Sequence, residues 1–202
     1  VASPELRAQR LEVLNHWRNH NYGIVIVPIS GLKKIIPSPT IWKKGQIHLS
    51  VGEDFEMDDQ LNKLVEMGYN RTEMVTSPGE FSVRGGIIDI YPLTEGDPVR
   101  IELFDTEIES IRYFSLEDQR SKEQINEILI GPATETPLSE AHYKTLVAKI
   151  EEGLAKSLKR IKDEKAKTLL SQNISYELEQ LKNKQKPDQV YKYLSFVYEE
   201  NN

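Results

Sequence analysis

The sequence has no cysteine among its 202 residues. Disulfide bonds, cysteine-ligated zinc and a thiol nucleophile are therefore excluded, and the composition fits a reducing compartment. Long apolar runs are also missing, since no stretch approaches the ~20 residues that cross a bilayer. No signal-peptide pattern opens the chain either. We therefore expect a cytoplasmic protein that makes no contact with a membrane.

Positive charge is in short supply, with 26 Lys and Arg against 32 Asp and Glu and a net charge of −6. This net negative charge argues against general binding of nucleic acid through phosphate contacts, although it does not exclude a local basic patch. The 38% hydrophobic and 29% charged content is ordinary for a globular protein. The length suffices for one or two domains with a packed core.

A phosphate-binding loop is absent from the sequence. Cradling a nucleotide phosphate requires the pattern G-x-x-x-x-G-K-[ST], in which backbone amides and a lysine meet the phosphates. Neither Gly45 nor Gly52 begins this pattern, and Gly85 and Gly86 lead into an isoleucine pair. We therefore predict that this chain is not an enzyme by itself and that it binds neither ATP nor another cofactor.

The four histidines of the chain form no ligand set. His16 and His20 have the i, i+4 spacing that can hold zinc on a helix face, but no third ligand lies near them in the sequence. We therefore predict no metal site.

The first 48 residues have the pattern of a partial α/β layer. Residues 1–22 have the apolar spacing of a helix. The β-branched run at 24–27 is typical of a short buried parallel strand, and residues 30–36 are typical of a short helix. Weak alternation over residues 42–49 predicts a strand that links this layer to the next domain. The order helix, buried strand, helix favours a P-loop-type sheet.

Residues 49–132 predict a small antiparallel α+β domain. A helix ends at Gly68, and we expect a short strand at residues 74–75 after it. Residues 99–104 alternate between apolar and polar side chains, and residues 108–114 form the returning strand. Three or four antiparallel strands then pack against one helix.

The stretch from Ser77 to Pro92 lies at the centre of this domain. It is an apolar, β-branched run between two turn signals, and the pair Gly85–Gly86 interrupts it once. We predict a strand that bends or bulges at the two glycines, and the alternative is a strained hairpin strand with a surface arginine. Arg84 then stands beside backbone that carries no Cβ, so its guanidinium is available to a ligand.

The last part of the chain, residues 133–202, predicts helices. Residues 138–162 carry apolar side chains at i, i+3, i+4 and i+7, with Ser139 as a candidate N-cap. A second helix over about 166–178 follows, and Pro187 separates it from a final segment. Lysines are frequent but mixed with glutamates, which is typical of solvated helix faces.

Three strings, GEFSVRGGIIDIYP, VRIELFDTEIESIR and SLEDQR, follow one another in the middle of the chain. Together they resemble the second domain of the bacterial transcription-repair coupling factors, a domain that recurs in the excision-repair protein UvrB. The resemblance implies a partial RecA-like domain at 1–48, a domain like the second domain of UvrB at 49–132, and the helical start of a third domain at 133–202. It also implies, together with the initial Val1, that the chain is a piece of a larger protein.

In the family that the chain resembles, this second domain docks onto the excinuclease subunit UvrA. The resemblance implies that Arg71 and Arg84 carry the contact here, with Phe81 and Tyr91 as candidates for apolar anchorage. Arginine suits this task because its planar fork pairs with two carboxylate oxygens at once. UvrB has a further arginine where this chain has Ser82, so one charged contact is missing. We expect a docking module that recruits UvrA to stalled transcription for nucleotide-excision repair.

The resemblance also implies properties of the intact protein. The full-length factors are ATP-driven DNA translocases that engage RNA polymerase and double-stranded DNA. Their ATP and Mg²⁺ sites lie in later domains, because the module that resembles UvrB has lost the ATPase motifs.

Two further functions stay open. The lysine-bearing helices after Ala141, or the strand arginines, would suit direct DNA binding. Asp89 and Glu102 invite the hypothesis of a metal-dependent nuclease, because two-metal hydrolysis needs carboxylates on adjacent strands. Phe104 stands, however, where a Glu-x-Lys motif would place its lysine. The alternative is that these two acids are turn and strand-edge carboxylates that pair with Arg100 and Arg112. Without a partner, the two docking arginines would form only intradomain ion pairs, each worth ~1 kcal/mol or less.

Overall fold

A computed structural model describes residues 4–19, 23–29 and 36–198 of the protein. The fold combines helices with small sheets, so the predicted α+β class is confirmed. The chain divides into two compact units. The first unit joins residues 1–26 to 37–137, and the second joins residues 27–36 to 138–202.

The described elements of the first unit are three helices and eight strands. The helices are α1 (Pro4–Asn19), α2 (Pro39–Lys44) and α3 (Met57–Glu66). The strands are β1 (Ile47–Ser50), β2 (Asn70–Arg71), β3 (Glu80–Arg84), β4 (Ile87–Ile90), β5 (Val99–Phe104), β6 (Glu107–Phe114), β7 (Ser121–Ile125) and β8 (Glu127–Ile130).

Helix α1 confirms the helix predicted at the start of the chain. Leu11 and Leu14 are buried, and they supply the apolar contacts of its inner face. On the same face the Asn15 side chain accepts a hydrogen bond from the indole nitrogen of Trp42 at 2.8 Å. This bond satisfies the polar atom of a fully buried tryptophan, as buried indoles require.

The strand predicted at residues 24–27 is wrong. The described residues 23–28 lie outside helices and strands, and Ile24 and Ile26 are 93% and 92% exposed. A β-branched run forms a strand only when a neighbour satisfies its backbone groups, and no strand of the described residues pairs with this one. The helix predicted at residues 30–36 lies almost wholly outside the described residues.

The strand predicted from Trp42 to Leu49 is correct only in its second half. Residues 39–44 form α2, and β1 begins at Ile47. The helix starts there because the Ser38 hydroxyl accepts a hydrogen bond from the Ile41 amide at 3.3 Å, and because Pro39 occupies the first helical position. This local capping outweighs the weak alternation of the sequence.

Helix α3 ends at a Schellman motif, which confirms Gly68 as its stop. The Tyr69 amide donates to the Leu64 carbonyl at 3.0 Å, and the Gly68 amide donates to the Val65 carbonyl at 3.0 Å. Gly68 has a φ of 92°, a conformation that side chains with a Cβ disfavour. The motif turns the chain from α3 into β2.

The strands form a six-stranded sheet and a two-stranded sheet. The larger sheet has the order β2-β3-β4-β5-β6-β7, and every neighbouring pair is antiparallel except β2 and β3, which are parallel. β1 pairs with β8 in the smaller sheet. The prediction of three or four strands was too low, and the first short strand lies at residues 70–71 rather than at 74–75.

The core of the first unit lies between one face of the large sheet and α3. Leu64, Met67 and Tyr69 approach from the helix and its end, and they are at most 2% exposed. The sheet contributes apolar side chains from β3 to β6, which are Phe81, Ile88, Ile90, Val99, Ile101, Ile108 and Ile111. Burying each large apolar side chain stabilises the fold by roughly 1.5–3 kcal/mol.

The second unit is helical, as predicted. Its helices are α4 (Glu140–Arg160), α5 (Glu164–Lys182) and α6 (Ser195–Tyr198), with a 3₁₀ turn at Val190–Tyr193. Ser139 is the N-cap of α4, and its amide in turn donates to the His142 ring at 3.2 Å. Among the described residues, no helix is both long and apolar enough to cross a membrane.

The end of α3 generates a testable prediction. A Cβ at Gly68 would lie 2.8 Å from the Thr134 side chain, whereas one at Gly79, where φ is 86°, would meet only the Ala133 Cβ at 3.9 Å. We expect Gly68→Ala to lower the free energy of unfolding by about 2–3 kcal/mol, and Gly79→Ala by about 1 kcal/mol, because only the first adds a clash to the backbone strain. Urea unfolding followed by circular dichroism measures both values. Equal losses would contradict the role of Thr134.

Candidate functional site

Strands β3 and β4 form a hairpin whose turn is the glycine pair. The register joins Arg84 to Ile87, so Gly85 and Gly86 are the two turn residues. Gly85 has a φ of 61°, which suits the first position of a type II′ turn. A Cβ on Gly86 would lie 3.1 Å from the Leu103 carbonyl oxygen of β5. The predicted bulge is therefore wrong, because the run is two strands that fold back on each other.

The hairpin has one apolar and one polar face. Phe81 pairs with Ile90 on the face that meets the core, whereas Ser82 pairs with Asp89 on the opposite face. Phe81 is fully buried. The expectation that Phe81 offers an apolar anchor to a partner is therefore contradicted, because core packing already covers its ring.

The carboxylate of Asp89 lies at the centre of the polar face. It is 2% exposed, and both of its oxygens accept hydrogen bonds from arginines. Arg100 binds it in two places, with Nε 2.7 Å from Oδ1 and Nη2 2.9 Å from Oδ2. Arg84 adds Nη2 at 2.8 Å from Oδ2. The hydrogen bond to Asp89 also raises the pKa of the Arg100 guanidinium, which fits a buried carboxylate compensated by two cations.

One nitrogen of the Arg84 guanidinium binds Asp89, and the rest of the group is accessible. Its side chain is 48% exposed, and its ion pair with Asp89 uses only Nη2. Since a guanidinium has five N–H donors, most of the donors of Arg84 face away from this contact. The prediction that the Arg84 guanidinium is available is therefore compatible with the structure, although the cause is the hairpin turn rather than a bulge.

Arg71 lies in the edge strand of the large sheet. Its side chain is exposed, and among the described residues it makes no ion pair. β2 pairs Arg71 with Phe81, and Arg84 follows three residues later along β3. The two arginines are thus about 10 Å apart along the strand direction, and alternation assigns them to opposite faces at one edge of the sheet. A partner that contacts both arginines must therefore bind at this edge.

Two further side chains shape the same region. Tyr91 is half-buried, and its hydroxyl donates to the Gly96 carbonyl at 3.0 Å, so part of its ring stays accessible. Glu80 accepts hydrogen bonds from the amides of Thr76 and Ser77 at 2.8 and 3.0 Å. Burial alone would raise the pKa of the Glu80 carboxyl, but these hydrogen bonds outweigh it and lower the pKa. Glu80 thereby fixes the turn that leads into β3.

The carboxylates proposed for a nuclease are occupied by arginines. Asp89 binds Arg84 and Arg100, and Glu102 binds Arg112 and accepts a hydrogen bond from Ser110 at 3.1 Å. A guanidinium repels a metal ion from the carboxylate that it neutralises. No cluster of three or more candidate metal ligands occurs in residues 4–19, 23–29 and 36–198. The arrangement does not fit a two-metal site.

Ser82 marks a gap in the polar face. It is 1% exposed, and its Oγ has no hydrogen-bond partner among the described residues. From the sequence, Ser82 was identified as a missing arginine, and Arg100 and Arg112 as candidate partners of the strand carboxylates, but the role of Asp89 in orienting Arg84 was not. The sequence signal for this contact is that an acid, Asp89, and a base, Arg100, lie on consecutive antiparallel strands, where opposite charges that face each other attract.

Charge in this region is strongly one-sided. Residues 47–135 contain seven Lys and Arg against 20 Asp and Glu, a net charge of −13. Five of the seven bases form ion pairs with acids within the domain, namely Arg84, Arg100, Arg112, Arg120 and Lys122. Arg71 is therefore one of very few cations that stand out from an acidic surface.

The Asp89 contacts predict an unequal response to two similar substitutions. Asp89→Asn should lower the free energy of unfolding by about 3 kcal/mol, because it leaves the Arg100 guanidinium half-buried without its counter-charge. Asp97→Asn is the matched control, since its ion pair with Lys122 is well exposed and should contribute less than about 1 kcal/mol. Thermal and urea unfolding measure both. A loss for Asp89→Asn as small as that of the control would refute the structural role of the buried pair.

Comparison with known proteins gives consistent matches. Residues 47–135 match a family described as the UvrB interaction domain. The transcription-repair-coupling factor of Bacillus subtilis (strain 168) is 50% identical over 199 residues, which cover 98% of this chain and 17% of the relative. The factor of Staphylococcus haemolyticus (strain JCSC1435) is 53% identical over 133 residues, 66% of this chain and 11% of the relative.

The matches cover most of this chain but only a small part of each relative. The chain spans about a sixth of the length of the Bacillus relative. The family resemblance noted in the sequence is confirmed. This chain is thus a relative of the transcription-repair-coupling factors that corresponds to one segment of them, with a UvrB interaction domain at residues 47–135.

Proposed function

We propose that this chain is the protein-docking module of a transcription-repair-coupling factor and that it recruits the excinuclease subunit UvrA to stalled transcription. The observation that carries the proposal is the pair of exposed guanidiniums, Arg71 and Arg84, at one edge of an acidic domain. The module acts by binding rather than by catalysis, since Asp89 and Glu102 are held in ion pairs with arginines and the sequence has no phosphate-binding loop.

The geometry of Arg84 suits a docking contact. Asp89 fixes one nitrogen of the guanidinium and leaves the others exposed beside the tight turn of the hairpin. A side chain that is already ordered loses less conformational entropy when a partner binds it. The glycines of the turn carry no side chains, so a partner loop can approach Arg84 closely.

The charge of the domain indicates the chemistry of the partner surface. Duplex DNA would meet a net charge of −13 over residues 47–135, which disfavours DNA binding through the strand arginines. An acidic protein segment that presents one or two carboxylates to Arg71 and Arg84 gains bidentate pairs without covering the acidic remainder. Tyr91 adds an amphipathic ring of the kind that is enriched at interfaces.

The role of the intact protein follows from the same proposal. A coupling factor needs a motor that uses ATP and Mg²⁺, and contacts to RNA polymerase and double-stranded DNA, so we assign these functions to parts of the protein outside this chain. We place the protein in the cytoplasm, where transcription and excision repair of a bacterium occur.

Binding of the purified 202-residue chain to purified UvrA, measured by calorimetry, tests the docking site. We expect Arg71→Ala and Arg84→Ala each to weaken binding by about 2 kcal/mol or more, a typical cost for a central interface arginine. Both variants should stay folded, because Arg71 makes no ion pair with the residues that the structure describes and the Arg84 side chain is half-exposed.

Arg120→Ala is the matched control for these variants. Its side chain is 85% exposed in the same domain, and its nearest acid, Asp118, lies 3.6 Å away. We expect it to change the binding free energy by less than about 0.5 kcal/mol. Folded wild-type protein that fails to bind UvrA, or equal losses for all three arginines, would contradict the proposed site.

A further inference from the structure

The hairpin of α4 and α5 ends in a strongly basic tip. We define the tip as residues 156–167, which hold six Lys and Arg against two Asp and Glu, a net charge of +4. The other residues of 138–198 hold six bases and six acids and are neutral as a set. Positive charge is therefore concentrated at one end of the hairpin, in contrast to the acidic domain at 47–135.

Most cations of the tip are free to bind a ligand. Lys156 pairs with Glu152, and Lys167 pairs with Glu164, both along the same helix. The Asp163 carboxylate caps α5 by accepting hydrogen bonds from backbone amides of the first turn. The four remaining cations make no ion pair within the described part of the chain, and all four are exposed: Lys159, Arg160, Lys162 and Lys165.

A shallow groove runs between the two helices beside the tip. Its volume is about 490 Å³, and it is lined by Leu158, Lys159, Lys167, Thr168, Ser171 and Gln172. Five of the six lining side chains carry a hydrogen-bond donor, and none carries a carboxylate. Lysine, hydroxyl and amide donors are the groups that contact phosphate oxygens in protein–DNA complexes.

The tip is not required to build the core of its unit. From residue 151 to residue 177 the hairpin contains no buried residue, although Leu154, Leu158 and Leu170 are half-buried between the helices. A segment that carries excess positive charge and contributes no buried residue is available for binding along most of its length. The cations thus have no evident structural task.

We propose that this tip binds the sugar-phosphate backbone of duplex DNA without reading its sequence. Single-strand binding relies on aromatic side chains on which bases stack, and residues 156–172 contain no aromatic residue. Duplex binding requires only cations and neutral donors aimed at phosphates, which the tip and its groove supply. The proposal is independent of the docking site, because it uses none of the residues of the UvrB interaction domain.

Fluorescence anisotropy of a labelled 20-base-pair duplex, titrated with the 202-residue chain, tests the proposal. With four phosphate contacts, the affinity should fall about 150-fold between about 50 and 200 mM salt, because each contact releases counterions. The triple variant Lys159→Gln, Arg160→Gln and Lys162→Gln should bind at least about 10-fold more weakly at the lower salt, and its salt dependence should flatten to that of about one contact.

The matched control removes the same charge from lysines that are already paired. Lys144, Lys182 and Lys184 bind Glu140 or Glu151 in the same unit, and their triple replacement by Gln should change the affinity less than about 3-fold. Circular dichroism checks that both variants remain folded. Equal losses of affinity for the two triple variants would overturn the proposal, and so would a preference for single-stranded DNA. Displacement of the duplex by poly-glutamate, added at the same concentration of negative charges, would also overturn it.

Discussion

The outer face of the large sheet depends on the buried carboxylate of Asp89. At 2% exposure an unpaired charge there would be strongly destabilising, and two guanidiniums from β3 and β5 compensate it. This contact joins the hairpin to the centre of the sheet and also sets the direction of Arg84. Stability and the geometry of the edge at which we propose docking therefore rest on one interaction.

The sequence predicted those elements whose signal is long or local. The periodicity of α4 extends over 21 residues, and Gly68 is a local stop signal, so both were predicted correctly. The hairpin was left undecided between a bulged strand and a hairpin strand, because a glycine pair inside an apolar run suits a bulge as well as a two-residue turn. Only the pairing of Arg84 with Ile87 decides between them, and such pairing is a property of the tertiary fold.

The candidate site was predictable to a similar degree. Arg71 and Arg84 followed from the family resemblance, and the structure places both at one exposed edge. Phe81 was assigned to the surface because alternation gives two faces without stating which one α3 covers. Arg100 was predicted as a partner of the strand carboxylates, but which carboxylate it binds depends on the tertiary fold, since its contact with Asp89 joins two strands 11 residues apart in the sequence. Charge could be counted from the sequence alone, and it distinguishes the acidic domain at residues 47–135 from the basic helical tip.

Amide hydrogen exchange of the chain with and without UvrA tests the central claim most directly, because it locates the contact without any substitution. The docking account predicts that added UvrA slows exchange in peptides that cover residues 69–73 and 82–88 and leaves residues 151–172 unchanged. Slower exchange confined to the helical hairpin, with none at the edge of β2 and β3, would contradict it.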